Sequence, residues 1–111
     1  MPIALHQAKA DLFRTLGHPV RVRVLELLQD GPRAVHELRA EIDVEPSNLS
    51  QQLSVLRRAG IVVSHREGST VLYSLGTSDV ADLMRSARRF LTDLLADQEN
   101  LLTELRAGDL V

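Results

Sequence analysis

The C-terminal part of the chain carries a leucine-rich pattern that a domain this small cannot bury alone. From about Ser78 to Arg106 the apolar residues recur at helical spacing, which predicts one long amphipathic helix. Because a chain of 111 residues has room for one modest core, part of this apolar face needs a partner chain. The sequence therefore predicts a homodimer. The face follows a seven-residue repeat, interrupted only by Gln98, at positions 80, 84, 87, 91, 94, 98, 101 and 105.

Two shorter helices are predicted in the first part of the chain. The first runs from about Leu5 to Leu16 and has one apolar stripe. The second begins at Pro19, a residue favoured in the first turn of a helix, and ends near Gln29. Between them lies His18, for which a role in helix entry is favoured over metal binding. The second helix is expected to bury Val20, Val24, Leu27 and Leu28.

Residues 33–60 have the pattern of a helix-turn-helix. A short helix is expected first, and Ala34 at its start offers no capping side chain. The segment EPSNLSQQLSVLRRAG then predicts a helix that begins near Pro46 and is stopped by Gly60. A short helix, a tight turn and a second helix form the unit that places its second helix in the major groove of DNA.

The polar face of this second helix favours an anionic surface. It offers hydrogen-bond donors and has no carboxylate. Asn and Gln can pair with the adenine edge, Arg with guanine, and Ser with bases or phosphates. Asn48 and Gln51 are the expected base readers, and the serines and arginines are expected mainly to position the DNA backbone. The face consists of Ser47, Asn48, Ser50, Gln51, Ser54, Arg57 and Arg58.

A β-hairpin is predicted directly after the helix-turn-helix, over residues 61–75. The segment IVVSHREGSTVLYSL contains two short β-rich runs around Glu67 and Gly68, with an exposed tip between them. Arg66 beside this tip could enter the minor groove or contact phosphate. The predicted fold is mainly α with a small β-hairpin, a single winged helix-turn-helix domain over residues 1–111 in which 78–106 is the dimerisation helix.

The charge of the chain is unevenly distributed. The formal net charge is −2, but residues 47–66 contain three arginines and no acid, whereas residues 79–109 contain seven acids and four arginines. An architectural protein that binds DNA mainly through phosphate neutralisation is usually basic overall, so this class is disfavoured. A protein-interaction module without DNA binding stays the alternative. An enzyme is not expected, because no phosphate loop or nucleophile with an acid–base partner is visible.

Four segments resemble the ArsR/SmtB family of bacterial metalloregulators in order and spacing. They are LFRTLGHPVRVRVLELL, VHEL, SNLSQQLSVLRRAGIV and REGSTVLYSL, within about residues 8–75. The resemblance implies a homodimeric winged helix that binds a palindromic operator and usually represses until an inducer releases it. It also adds Gln52 to the DNA-contacting residues. The first and last helices would form the dimer interface, with Leu5, Leu12, Phe90, Leu91, Leu94, Leu101 and Leu105.

The identity of an effector is left open by the sequence. The chain has no cysteine, which excludes the thiolate metal sites common in the family. Any metal would be held by nitrogen and oxygen ligands, which favours nickel, zinc or cobalt. His6, with Asp97, Glu99 or Glu104 of a partner subunit, is the candidate site, and a solvated terminal histidine is its alternative. Another ligand or a co-regulator protein could equally control the regulator.

The start of the chain predicts a protein that stays in the cytoplasm and has no membrane partner. The segment MPIALHQAKADLF lacks a charged region followed by an apolar stretch, so no signal peptide is visible. The longest apolar runs of the chain contain three or four residues. A helix that crosses a bilayer needs about 20.

Overall fold

The computed structural model describes residues 2–109 and is mainly helical with one small sheet, as the sequence predicts. All predicted helices and both strands of the hairpin are present, with ends within a few residues of expectation. The helices are α1 (Leu5–Leu16), α2 (Pro19–Leu28), α3 (Val35–Glu41), α4 (Pro46–Arg58) and α5 (Ser78–Asp109). The strands are β1 (Arg33–Ala34), β2 (Val62–Glu67) and β3 (Thr70–Leu75).

The sheet has a third strand that the sequence did not predict. Its order is β1-β3-β2, and both pairings are antiparallel. In the hairpin Glu67 pairs with Thr70, which leaves a two-residue turn. Gly68 opens this turn with a φ of 64°, a left-handed conformation that favours glycine. The short β1 strand lies against the other edge of β3, so the hairpin is anchored to the start of the helix-turn-helix.

The core of the first 81 residues is built from one side of each short helix and the base of the hairpin. α2 contributes most, because Leu25 is fully buried in addition to the expected Val24, Leu27 and Leu28. Val20, predicted to be buried, is only half-buried. The other buried apolar residues are Leu16, Ala34, Leu38, Ile42, Leu49, Leu53, Leu56, Ile61 and Val62.

The helix starts use side chains in two different ways. His18 is the residue before α2, and its Nδ1 accepts a hydrogen bond from the backbone N–H of Val20 at 3.2 Å. This geometry agrees with the expected role of His18 in helix entry. At the start of α3 the methyl group of Ala34 caps nothing, but Glu37 reaches back and accepts from the Ala34 N–H at 2.9 Å. Glu37 thus supplies the half of a capping box that Ala34 leaves available.

The chain divides into two compact units, with the boundary inside α5 between Ala81 and Asp82. The prediction of one domain over residues 1–111 stays a prediction, and its end points Met1 and Val111 lie outside the described residues. The second unit is helical, and Arg85 forms an ion pair with Asp82 on its surface. Leu83 and Met84 of this unit are half-buried. The exposed large apolar side chains in the single chain are Phe90, Leu91, Leu94, Leu95, Leu101, Leu102 and Leu105.

None of the helices within residues 2–109 carries an apolar stretch of the length that a bilayer crossing requires.

Candidate nucleic-acid interface

Helix α4 is the second helix of the helix-turn-helix, which is called the recognition helix in such folds. Its apolar side packs into the core. Leu49, Leu53 and Leu56 lie three or four positions apart and are almost completely buried. Pro46 occupies the first turn, and Gly60 follows the helix end with a φ of 76°. Because the leucines fix the rotation of α4 about its axis, the side chains on the opposite face point to solvent in a defined register.

The α4 residues predicted to contact DNA are exposed or half-buried, with one exception. Asn48 and Ser54 are half-buried, and the exposed members are Ser47, Ser50, Gln51, Arg57 and Arg58. The Nε of Arg58 lies 3.4 Å from the carbonyl oxygen of Ser54, so this guanidinium folds along its own helix. The face carries donors from end to end and no carboxylate, as a surface facing phosphates requires.

The exception is Gln52, which is only 7% exposed. Its Oε1 accepts a hydrogen bond from Nε of Arg21 on α2 at 2.7 Å, and its Nε2 donates to Oδ1 of Asn48 at 2.9 Å. The expectation of a direct DNA contact from Gln52 does not fit this burial. A signal was present in the sequence, because position 52 lies three residues after Leu49 and four before Leu56 and therefore on the buried face.

The wing, which is the hairpin of β2 and β3, is joined closely to the end of the recognition helix. The N–H of Ile61 donates to the carbonyl of Leu56 at 3.0 Å, and the N–H of Gly76 donates to the carbonyl of Ile61 at 2.8 Å. At Gly76 a Cβ atom would come within 2.5 Å of the carbonyl oxygen of Gly60. Only a glycine fits there without a shift of the backbone, so the two ends of the hairpin stay beside the end of α4.

The distal part of the wing is exposed and mixed in charge. Residues 65–70 are exposed on both sides of the turn. Arg66, the predicted DNA contact, lies on β2 opposite Val71. Glu67 stands at the tip as the first acid after Glu45, so from α4 to Arg66 the charged side chains are all arginines. The basic part of the surface therefore runs from the end of α4 to the outer half of β2.

The residues predicted for the dimer interface and the metal site are mostly exposed in the single chain. Leu5 on α1 is exposed, Leu12 is half-buried, and the predicted apolar residues of α5 are exposed. His6, Asp97, Glu99 and Glu104 are also exposed. Within residues 2–109 of one chain, no three His, Asp or Glu side chains form a group that could hold a metal ion. The predicted metal site, whose ligands come from two chains, stays a prediction.

A recognition helix with an acid-free face, preceded by a short helix and followed by a hairpin, defines a winged helix-turn-helix DNA-binding protein. Residues 18–64 match the family described as "Bacterial regulatory protein, arsR family". The match begins at the residue before α2 and ends within β2. It therefore includes the whole helix-turn-helix.

The chain is also similar in sequence and in structure to a known transcriptional regulator. The chain is 48% identical to the uncharacterized HTH-type transcriptional regulator Rv0081 of Mycobacterium tuberculosis, over 94% of this chain and 92% of that protein. The crystal structure of M. tuberculosis Rv0081 superimposes with a TM-score of 0.79 at 46% identity, covering 87% of this chain and 98% of that one.

A second structure describes an assembled relative. The solution structure of the homodimeric winged helix-turn-helix DNA-binding domain of Mb0332 from Mycobacterium bovis, a possible ArsR-family regulator, has a TM-score of 0.74 at 27% identity. It covers 82% of this chain and 84% of that one. The present chain belongs to the arsR family of bacterial regulatory proteins. It is a DNA-binding transcriptional regulator and not an enzyme.

Proposed function

We propose that the chain acts in the cytoplasm as a homodimeric regulator that binds a palindromic operator. The observation that carries this proposal is the acid-free exposed face of α4, whose register is fixed by three buried leucines. In a two-fold symmetric dimer the two recognition helices enter successive major grooves about 34 Å apart, so each protomer reads one half-site.

The exposed residues of this face divide by chemistry into two roles. Gln51 is exposed near the middle of α4 and carries the donor and acceptor that adenine can pair with. Asn48 is the second base reader. The remaining residues hold the DNA backbone and carry little sequence information, namely Ser47, Ser50, Ser54, Arg57, Arg58 and Arg66.

Dimerisation is supported by apolar surface that is exposed in one chain. Phe13 on α1 is 59% exposed, Phe90 on α5 is 66% exposed, and Leu5 of α1 and six leucines of α5 are also exposed. Apolar side chains at this density on two helices are typical of a surface that a second protein molecule covers. The homodimeric description of the Mb0332 domain supports a second copy of this chain as that molecule.

The operator can be found without knowledge of the regulated genes. The full-length protein is used to select duplexes from a randomised DNA library, and binding of the selected duplex is measured by fluorescence anisotropy at fixed salt. We expect a palindrome whose half-sites are one helical turn apart. Selection of no sequence, or binding that is indifferent to sequence, would contradict the proposal and favour a protein-interaction module.

The role of Gln51 is tested by replacing it. Gln51→Ala should cost roughly 1 to 3 kcal/mol of binding free energy and relax the preference at one base pair of each half-site. Asn100→Ala is the control, because it removes an exposed side-chain amide from α5 at a position outside the seven-residue repeat. Equal losses in the two variants would show that Gln51 has no special part in readout.

The proposal extends to control by a divalent ion of the nickel, zinc or cobalt class, through His6 and the partner subunit's Asp97, Glu99 or Glu104. The exposure of His6 on α1 and of these acids on α5 supports it, since ligands shared between chains must be free in each. Oxygen and nitrogen donors suit these ions. The ion would link the protomers and so change the fit of the dimer to its operator.

Operator binding by the metal-free dimer is then compared with binding in the presence of nickel, zinc or cobalt. A metal that changes the affinity more than about tenfold, which is a coupling of roughly 1.4 kcal/mol, supports metal control when His6→Ala abolishes the change. Specific binding that no metal alters would leave the regulator proposal intact. It would point to another ligand or to a co-regulator protein.

A further inference from the structure

The hydrogen bonds beneath the recognition helix have a fixed direction. Resting on the proposed function, we infer that Arg21 and Gln52 are positioning residues that make Asn48 a hydrogen-bond donor to the operator. The three side chains form a chain of contacts from α2 to the exposed side of α4. Gln52 in the middle of that chain is buried, and Arg21 and Asn48 at its two ends are half-buried.

The direction begins at Arg21, because a guanidinium only donates hydrogen bonds. Its Nε–H points to Gln52 at 2.7 Å, so the atom of Gln52 that faces it must be the oxygen Oε1. The amide nitrogen of Gln52 then faces the other way and donates to Asn48 at 2.9 Å. A side-chain amide that receives a hydrogen bond must present its oxygen, so Oδ1 of Asn48 is turned inward.

Asn48 is left with its Nδ2 group for contacts outside the protein. Bidentate pairing with adenine uses both the oxygen and the nitrogen of an asparagine at the base edge. In this chain one of the two lone pairs of that oxygen already accepts from Gln52, so turning the amide to align both of its groups with a base would weaken the buried hydrogen bond. Asn48 is therefore set to recognise an acceptor on the major-groove edge, such as N7 or O6 of a purine or O4 of thymine.

Arg21 is itself held in place by a second contact. Its NH1 donates to the backbone carbonyl oxygen of Thr15 in the last turn of α1 at 3.0 Å. Arg21 is half-buried, and among residues 2–109 no buried side-chain nitrogen or oxygen lacks a hydrogen-bond partner. A turned amide at Gln52 would break this arrangement by setting N–H against N–H, and a buried donor without an acceptor is costly.

The first experiment locates the base pair that Asn48 reads. Operators selected by the wild-type protein and by Asn48→Ala are compared, and we expect the variant to lose its preference at one base pair in each half-site. At that pair, major-groove groups are removed singly with base analogues. Loss of the acceptor should weaken binding about tenfold, whereas loss of an exocyclic amine should change it less than about twofold. Sensitivity to the amine, or an unchanged preference in Asn48→Ala, would overturn the inference.

Two variants then test the positioning residues. Arg21→Met removes the group that orients Gln52, and Gln52→Glu accepts from Arg21 but, when ionised, has no proton to donate to Asn48. Both should reduce discrimination at the Asn48 base pair to about twofold and leave the Gln51 base pair unchanged. Arg23→Met is the matched control, because Arg23 is an exposed arginine on the same helix. It should leave all preferences unchanged.

The outcomes separate this inference from the proposed function. Thermal unfolding identifies any variant that fails to fold, and Gln52→Glu decides the test should Arg21→Met be unfolded. Full discrimination in the folded variants would overturn the positioning role. If the wild-type protein itself selects no operator, the proposed function fails, and the inference fails with it.

Discussion

The recognition helix α4 and the long helix α5 are both amphipathic, but only α4 has its apolar side covered within the chain. Leu49, Leu53 and Leu56 of α4 are at most 1% exposed, whereas Leu94 of α5 is 41% exposed. The exposed polar face of α4 is therefore fully positioned by the folding of a single chain. The exposed apolar residues of α5 form the contact in the proposed dimer, in which folding and assembly would depend on different leucines of the same protein.

The largest effect is expected where the uncovered helix is given a charge. Leu94→Glu should prevent a stable dimer, because an unpaired carboxylate at a buried contact costs about 3 to 5 kcal/mol. Operator affinity should fall roughly a hundredfold or more once the half-sites are bound independently. Sedimentation equilibrium and anisotropy measure the two effects. Ala96→Glu is the control, because Ala96 is an exposed residue of the same helix outside the seven-residue repeat. A dimer that survives in Leu94→Glu would show that α5 does not provide the central contact.

A smaller effect is expected from a cavity beneath the covered helix. Leu53→Ala should lower the free energy of unfolding by about 2 to 5 kcal/mol, because Leu53 is fully buried. The loss should not depend on protein concentration. In Leu94→Ala the loss should instead grow as the protein is diluted, since that side chain stabilises the assembly. Chemical denaturation of both variants at two protein concentrations tests this difference. If the loss of stability depended on protein concentration in the same way in both variants, the two helices would not differ in this respect.

The joint between α4 and the wing can be disturbed at a single glycine. Gly76→Ala should cost about 1 to 3 kcal/mol of stability, because its Cβ would meet backbone oxygens of Gly60 and Ile61. Gly108→Ala, where a Cβ meets no atom within 4 Å, is the control in α5 and should be neutral or slightly stabilising. Thermal unfolding provides the comparison. Unchanged stability in Gly76→Ala would mean that the backbone at Gly60 and Ile61 can shift at little cost in free energy.

The smallest effect concerns charge on the two helices. Arg57→Ala should weaken binding to all DNA sequences similarly and reduce the slope of log affinity against log salt by about 1. Arg88→Ala removes an exposed arginine from α5 and should leave the salt slope unchanged. Anisotropy titrations at several salt concentrations test both. A loss confined to the selected operator would instead assign Arg57 to base recognition.

Much of the fold could be predicted because its helices and hairpin follow strong local signals. α1 begins and ends at the predicted residues, and Gly60 and Gly68 mark a helix end and a turn through positive φ angles. β1 could not be predicted, since a strand of two residues has no alternation to recognise and exists only through its pairing with β3. The burial of Leu25 was also missed, because α2 is covered over more of its circumference than a single stripe.

The sequence predicted which polar residues of α4 are exposed, but it did not predict the hydrogen bonds that link Arg21, Gln52 and Asn48. The exposed polar residues of α4 follow from its apolar stripe, and the structure agrees for most of them. Gln52 was assigned to DNA on the basis of the family resemblance, although its helical position places it between buried leucines. Its partner Arg21 lies 31 residues away. Local patterns carry no information on such a contact, and only the packing of α2 against α4 creates it.

The short strand β1 connects the helix-turn-helix to the wing, so that the two are expected to move as one rigid body. Ala34 both ends β1 and precedes the first residue of α3, and it pairs with Leu72 in the middle of the wing. The helix-turn-helix and the wing are thus fastened at two places, here and at the joint beside Gly76. In the proposed complex with DNA, a tilt of one protomer would move α4 and the wing away from the DNA together. Release from the operator is therefore expected to be abrupt, because the contacts that α4 and the wing make with one half-site would be lost together.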